Sequence, residues 1–110
     1  MRTLKFIVDK QIIKQDPDCD FSGLVPGTEG YLQVEFDFSS EWRDCVKVAA
    51  FWSRMGDVEY QPQKLEDGKT CVIPAEALKR RAFGIQVIGK KKDLKLTTNM
   101  VVVIQNGGEE

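Results

Sequence analysis

The sequence predicts a mostly β protein, an antiparallel β-sandwich of the Ig-like or jelly-roll-like kind with one short helix. Short runs of alternating apolar and polar residues recur along the chain, and turn-forming residues separate them. Strands do not alternate regularly with long helical patterns, which argues against a doubly wound sheet. We expect about seven to nine strands in a single domain over residues 1–110, ending in a polar tail at 106–110.

Length and composition are those of one globular domain. The chain has 110 residues, 42% hydrophobic and 30% charged, enough to bury one core without metals or disulfides. A net charge of −1 predicts no strong attraction to nucleic acid or to an anionic membrane. The longest apolar run, residues 100–104, is too short to cross a bilayer, and the N-terminus lacks a signal-peptide core. We therefore expect a soluble protein made in the cytoplasm.

Period-two alternation defines the strands of the first half. Residues 4–8 alternate as a first strand, residues 10–14 suggest a second, and a turn-rich segment follows. The clearest strand spans residues 31–38, where one face is apolar and the other carries polar side chains. Its predicted core residues are Leu32, Val34, Phe36 and Phe38.

The second half begins at a tryptophan corner, in which Trp42 is predicted to plug the core. The next strand is predicted to turn Val46, Val48, Ala50 and Trp52 towards the core. Pro74 suits the first position of a two-turn helix over residues 75–80. Further strands are expected around residues 83–87 and 98–105.

Four apolar residues are predicted to form an interface. Tyr31 and Phe51 lie opposite the predicted core faces of their strands. Val101 and Val103 lie opposite Met100, Val102 and Ile104, so the last strand is apolar on both sides. A second apolar face suggests burial against another chain, although contact with the short helix explains it equally well.

The residues that usually carry catalysis are missing or unremarkable. The chain has no histidine, which removes the commonest general base and metal ligand. Its three cysteines form no C-x-x-C pair and are interpreted as buried thiols in a reducing compartment. The carboxylates of residues 16–20 imitate a calcium loop, but Phe21 replaces its glycine and no acid closes it. No catalytic residue, cofactor or metal ligand is predicted.

Charge is distributed unevenly along the sequence. Residues 76–95 are strongly basic, and the remainder is correspondingly acidic. Such a division could bring like subunits together head to tail, basic surface against acidic surface. Solvated turns and charged strand edges are the more ordinary interpretation.

The order of five short motifs resembles small virion structural domains of tailed bacteriophages and prophages of gut bacteria, from the tail, baseplate or head-fibre region. The motifs are Phe38-Ser39-x-Glu41-Trp42, Lys47-x-Ala49-x-Phe51, Cys71-x-Ile73-Pro74-x-Glu76-x-Leu78, Phe83-x-Ile85-x-Val87-x-Gly89 and Leu96-Thr97-Thr98-Asn99. The resemblance spans roughly residues 31–107, whereas the segment up to Pro26 does not match.

This resemblance implies a non-enzymatic virion structural or adaptor protein that acts through oligomeric contacts. Its expected partners are further copies of itself or other phage structural proteins, and its expected location is the virion. The short polar end after Gly107 predicts that no fibre domain follows. The alternative is a carbohydrate-binding or host-recognition module that stacks glycans on Tyr31, Tyr60 or Trp52.

Overall fold

The computed structural model describes residues 1–106 and confirms the predicted mostly β sandwich of two packed sheets. Apart from Asn106, the predicted polar tail lies outside the described residues. The strands are β1 (Arg2–Asp9), β2 (Ile12–Gln15), β3 (Leu32–Phe38), β4 (Val46–Ser53), β5 (Gln63–Lys64), β6 (Thr70–Val72), β7 (Ala82–Lys91), β8 (Leu94–Thr97) and β9 (Val101–Ile104). Within this range, no helix has the length and hydropathy needed to cross a membrane.

The strands form a four-stranded and a five-stranded sheet. The first has the order β2-β1-β3-β6, and the second has the order β5-β4-β7-β8, with β9 also paired to β7. Most pairs are antiparallel, but β1 and β3 are parallel from Arg2↔Leu32 to Val8↔Phe38. The parallel pair arises because the chain crosses over through β2 and a long turn-rich loop before it enters β3.

The core lies between the sheets and confirms the predicted faces of β1 and β3. Leu4, Val8 and Val34 are inaccessible to solvent, and Phe36 is almost so. Phenylalanine rings make edge and tilted contacts along this side of the core, which add to the hydrophobic burial. The five-stranded sheet contributes Phe51, Phe83, Ile85, Val87 and Val103 from the other side.

The predicted faces of β4 and β9 are wrong. Phe51 is fully buried opposite Ile85, whereas Val46 is 57% exposed. Val103 is likewise fully buried opposite Phe83. Both strands are apolar on each side, so alternation alone could not identify the core side, and pairing with β7 decides it.

The predicted two-turn helix is reduced to a 3₁₀ turn over Ala77–Lys79. The Leu78 carbonyl accepts hydrogen bonds from the Gly27 N–H (2.8 Å) and from the Gln105 side chain (3.1 Å). Gln105 also donates to the Arg80 carbonyl at 2.7 Å. The carbonyls that would continue a helix are therefore occupied by other segments, and the chain enters β7 directly.

The tryptophan corner has the predicted structural role. A second 3₁₀ turn, Ser40–Trp42, places the Trp42 side chain in the core with no exposure. Its indole N–H donates to the Lys10 carbonyl at 2.7 Å, and the Ser39 hydroxyl accepts from the Lys10 N–H at 2.8 Å. These bonds attach the corner to the β1–β2 turn.

The segment between β8 and β9 joins the two sheets. Between the parts of β7 that pair with β8 and with β9, the hydroxyl of Thr98 accepts a hydrogen bond from the Val87 N–H at 3.0 Å. This bond continues the hydrogen bonding along that edge of β7. The carboxamide oxygen of Asn99 accepts the Ile13 N–H at 2.8 Å, and the Asn99 N–H donates to the Gln11 carbonyl. Thr98 and Asn99 therefore link the edge of the five-stranded sheet to β2.

Candidate functional site

The outward surface of the five-stranded sheet is unusually apolar and is called the outer face below. Register aligns Val48 with Ile88, and Trp52 with Gly84, which in turn pairs with Val102. Because directly paired residues share a face of the sheet, their side chains lie together. The apolar residues of the outer face are Val46, Val48, Ala50, Trp52, Ile88, Met100, Val102 and Ile104.

The four-stranded sheet shows what a water-facing surface of this protein looks like. On the outward side of β3 stand Gln33, Glu35 and Asp37, and β1 places Lys5 and Asp9 on the same side. Three apolar residues are spread among them: Ile7, Ile12 and Val72. An antiparallel or mixed sheet with one wet face normally carries such polar side chains there. The outer face of the other sheet departs from this pattern, which indicates a surface suited to burial against a partner.

Exposure within the outer face is greatest at its ends. Val46 is 57% exposed and Ile104 is 50% exposed, whereas Val48, Trp52 and Ile88 are half-buried by their neighbours in the sheet. Met100 lies over Gly84, where a Cβ would collide with the methionine side chain. The centre of the face is therefore filled, and its ends offer the most additional surface for burial.

Charges border the apolar residues in an ordered way. Lys90 and Lys95 pair with each other at the end of the sheet that contains Val46, and Lys64 pairs with Val48 one row further in. At the opposite end, Glu59 forms an isolated bridge with Trp52. The outer face therefore carries lysines at one end and Glu59 at the other, where Arg54, Lys79 and Arg80 stand in the adjoining loop.

A cavity of about 570 Å³ lies beside the Glu59 end and is called the loop cavity. The connection from β4 to β5 forms one wall, and the 3₁₀ turn before β7 forms the other. Its lining combines apolar side chains with charges of both signs: Ser53, Arg54, Met55, Asp57, Val58, Glu59, Tyr60, Glu76, Lys79, Arg80 and Ala82. The Ser53 hydroxyl donates to the Asp57 carboxylate at 2.6 Å and steadies this connection.

The structure does not bring the four predicted interface residues together on one surface. Tyr31 is 52% exposed, but it precedes β3 at the end of the other sheet. Phe51 and Val103 belong to the core, and Val101 packs against it. The sequence pattern correctly predicted two apolar sides for β4 and β9 but the wrong side as the core, so Val46, Met100 and Ile104 were not predicted as surface residues.

The cysteines are separate from both features. Burial, and secondarily the Asp67 carboxylate, raises the pKa of the Cys71 thiol to about 12, so the thiolate is disfavoured. Cys45 is buried, and Cys19 is half-buried with its Sγ beside the Lys5 N–H. Among residues 1–106, no three His, Cys, Asp or Glu side chains are grouped so as to hold a metal ion.

Comparison with known proteins yields no relative: no family model, curated protein or solved structure matches the chain.

Proposed function

We propose that this protein is a non-enzymatic structural or adaptor protein of a phage virion, and that it acts through contacts made by the outer face. The observation that carries the proposal is the contrast between its two sheets. One sheet presents mainly carboxylates, amides and lysines to water, with Ile7, Ile12 and Val72 among them, whereas the other presents mainly valine, isoleucine, methionine and tryptophan. A surface of that composition gains free energy when a partner removes it from water.

The magnitude of this gain suits assembly. Fully burying one Val or Ile side chain contributes about 1.5–3 kcal/mol relative to leaving it exposed. Val46 and Ile104 are each about half exposed, so each still has a substantial part of that gain available. The rigid two-layer scaffold holds these side chains in a fixed arrangement, which lowers the entropy cost of docking.

The resemblance of the motif order to small virion domains supplies the biological setting of the proposal. In that setting the protein is made in the bacterial cytoplasm and becomes part of the particle on head, tail or baseplate. Docking to other phage structural proteins, or to further copies, would cover the outer face.

The proposal is tested by following the protein into particles. We expect mass spectrometry of gradient-purified virions from a lysogen that encodes the chain to detect it in stoichiometric amounts. Val46→Lys places a charge in the exposed end of the outer face and should remove the protein from particles while leaving it folded. Ile12→Lys is the matched control, because Ile12 is 58% exposed on the other sheet. Purified virions that lack the unaltered protein would contradict the proposal.

A second candidate function, carbohydrate binding, is favoured only by the loop cavity. Tyr60 lines this cavity together with charged side chains that could hydrogen-bond sugar hydroxyls. Trp52 lies on the outer face and Tyr31 on the other sheet, so the three predicted stacking residues do not form one platform. A glycan array of bacterial wall and capsule sugars tests this function, and binding that disappears in Tyr60→Ala would support it.

A further inference from the structure

We propose that the outer face is covered by a second copy of this chain, in a face-to-face dimer whose two-fold axis lies in the plane of the sheet and perpendicular to the strands. This inference rests on the proposed function, because it names one partner of the surface through which the protein acts.

The arrangement of charge selects this axis. A two-fold axis perpendicular to the strands reverses strand direction, so the basic end of one copy covers the carboxylate end of the other. It also keeps the order of strands, so the β5 side of one copy lies over the β5 side of its partner. Glu59 and Lys64 both lie on that side, on opposite ends of the outer face. Each Glu59 is thereby brought towards Lys64 of the other copy, and the pair occurs twice in the dimer.

The other face-to-face arrangement is unfavourable. A two-fold axis parallel to the strands preserves position along the strands, and it would place the basic ends of both copies together. Lys64, Lys90 and Lys95 would then face the same three side chains of the partner. Like charges brought together in an interface cost several kcal/mol, so this arrangement is disfavoured.

The area of the outer face suits a weak, reversible dimer. Strand β4 has eight residues, which span about 26 Å at ~3.3 Å per residue. Strands β4 and β7 with the edge formed by β8 and β9 are about 14 Å wide at ~4.8 Å spacing, and the two-residue β5 adds little, which gives roughly 400 Å² of flat area on each copy. The total of about 800 Å², increased by side-chain relief, is typical of weak and transient interfaces. We therefore expect association in the micromolar range.

Sedimentation equilibrium of the purified full chain, from about 1 to 300 µM, tests the dimer. We expect a reversible monomer–dimer equilibrium. Ile104→Lys should weaken it at least tenfold, because each dimer would then bury two added charges. Ile12→Lys should leave it unchanged, since that equally exposed isoleucine lies on the other sheet. A circular dichroism spectrum identical to that of the unaltered protein would show that Ile104→Lys is folded.

Charge exchange tests the orientation. Glu59→Lys and Lys64→Glu should each weaken dimerisation about three- to tenfold at low salt, and the double exchange should restore most of the loss. About 0.5 M salt should reduce the effects of both single exchanges through screening. Failure of the double exchange to restore association would overturn the proposed axis.

A monomer across the whole concentration range would overturn the dimer itself. That result would leave the proposed function standing if purified virions still contain the protein and lose it in Val46→Lys. The outer face would then dock on a different phage protein. Absence of the protein from virions together with a reversible dimer would contradict the proposed function and leave the dimer standing.

Discussion

Gly89 of β7 lies directly against the indole of Trp42. A Cβ at position 89 would stand 2.8 Å from both Cε3 and Cζ3 of the ring, and 3.3 Å from the Cβ of Cys45. The buried indole cannot withdraw, because its N–H is hydrogen-bonded to the Lys10 carbonyl. The absence of a side chain at Gly89 is therefore what allows the tryptophan corner to close over the sheet.

We expect Gly89→Ala to lower the free energy of unfolding by about 2 kcal/mol or more, because the added methyl overpacks a rigid ring. Gly84→Ala in the same strand is the matched comparison, since its Cβ would meet the flexible Met100 side chain. That variant should cost less than about 1 kcal/mol, because the methionine can change rotamer. Urea denaturation of both variants measures the difference, and equal losses would contradict this explanation.

Gln105 should be needed for the end of β9 to remain attached. Its side chain is fully buried and donates to the carbonyls of Leu78 and Arg80, while its Oε1 accepts no hydrogen bond among the described residues. Gln105→Met keeps the approximate volume but removes both donors, and should cost about 1–3 kcal/mol of unfolding free energy. Thermal and urea denaturation provide the measurement.

Gln105→Glu extends this test through its pH dependence. The introduced carboxylate would be buried against two carbonyl oxygens, so its pKa in the folded protein should rise. Destabilisation should therefore be greatest at neutral pH and should diminish as the pH falls towards 5. A loss that does not depend on pH would contradict the burial of a charge at this position.

Asp67 should make the stability of the turn between β5 and β6 depend on pH in the acid range. Hydrogen bonds from the Thr70 hydroxyl, and then from the Lys69 and Thr70 N–H groups, lower the pKa of Asp67 from 3.8 to about 2. A carboxyl whose pKa falls on folding stabilises the folded state above its unfolded pKa. This contribution should be complete above pH 4 and lost as the pH falls from about 4 to 2.

The unaltered protein should therefore have a higher free energy of unfolding than Asp67→Asn above about pH 4, and this difference should disappear as the pH falls from about 4 to 2. Urea denaturation from pH 6 to pH 2 measures it. Thr70→Val removes the side-chain donor and should narrow the window by bringing the pKa of Asp67 closer to 3.8. A constant difference between Asp67→Asn and the unaltered protein at every pH would refute this assignment.

Cys71 should make the protein less stable at alkaline pH. Its folded pKa of about 12 exceeds the ordinary value of 9.0, so the unfolded chain loses the proton first. The unfolded state is then favoured progressively as the pH rises from 9 to 12. Cys71→Ala should remove this part of the alkaline destabilisation, which denaturation at pH 8 and pH 10.5 can measure. A decline of the same size in both proteins would exclude Cys71 as its origin.

Local sequence pattern was enough to predict the class of fold and the core-facing sides of its clearest strands. Period-two alternation identified the core sides of β1 and β3 correctly, because one side of each strand is mainly polar and burial of the apolar side stabilises the fold. Trp42 was likewise identified as a core residue from its position just after an alternating strand. Charge, composition and the lack of histidine constrained the expected chemistry but not the partner.

The core-facing side of β4 and β9 depends on contacts between distant parts of the chain and could not be predicted from local pattern. Both sides of these strands are apolar, so burial against the opposite sheet and register with β7 were needed to bury Phe51 and Val103. The same pairing leaves Val46 and Ile104 exposed and places apolar side chains of β4, β7 and β9 together on the outer face. The helix-like segment ends after a single 3₁₀ turn, where Gly27 and Gln105, distant in sequence, bind the carbonyls that a longer helix would use. Local sequence pattern shows which side chains favour burial, whereas the pairing of strands distant in sequence determines which of them are buried.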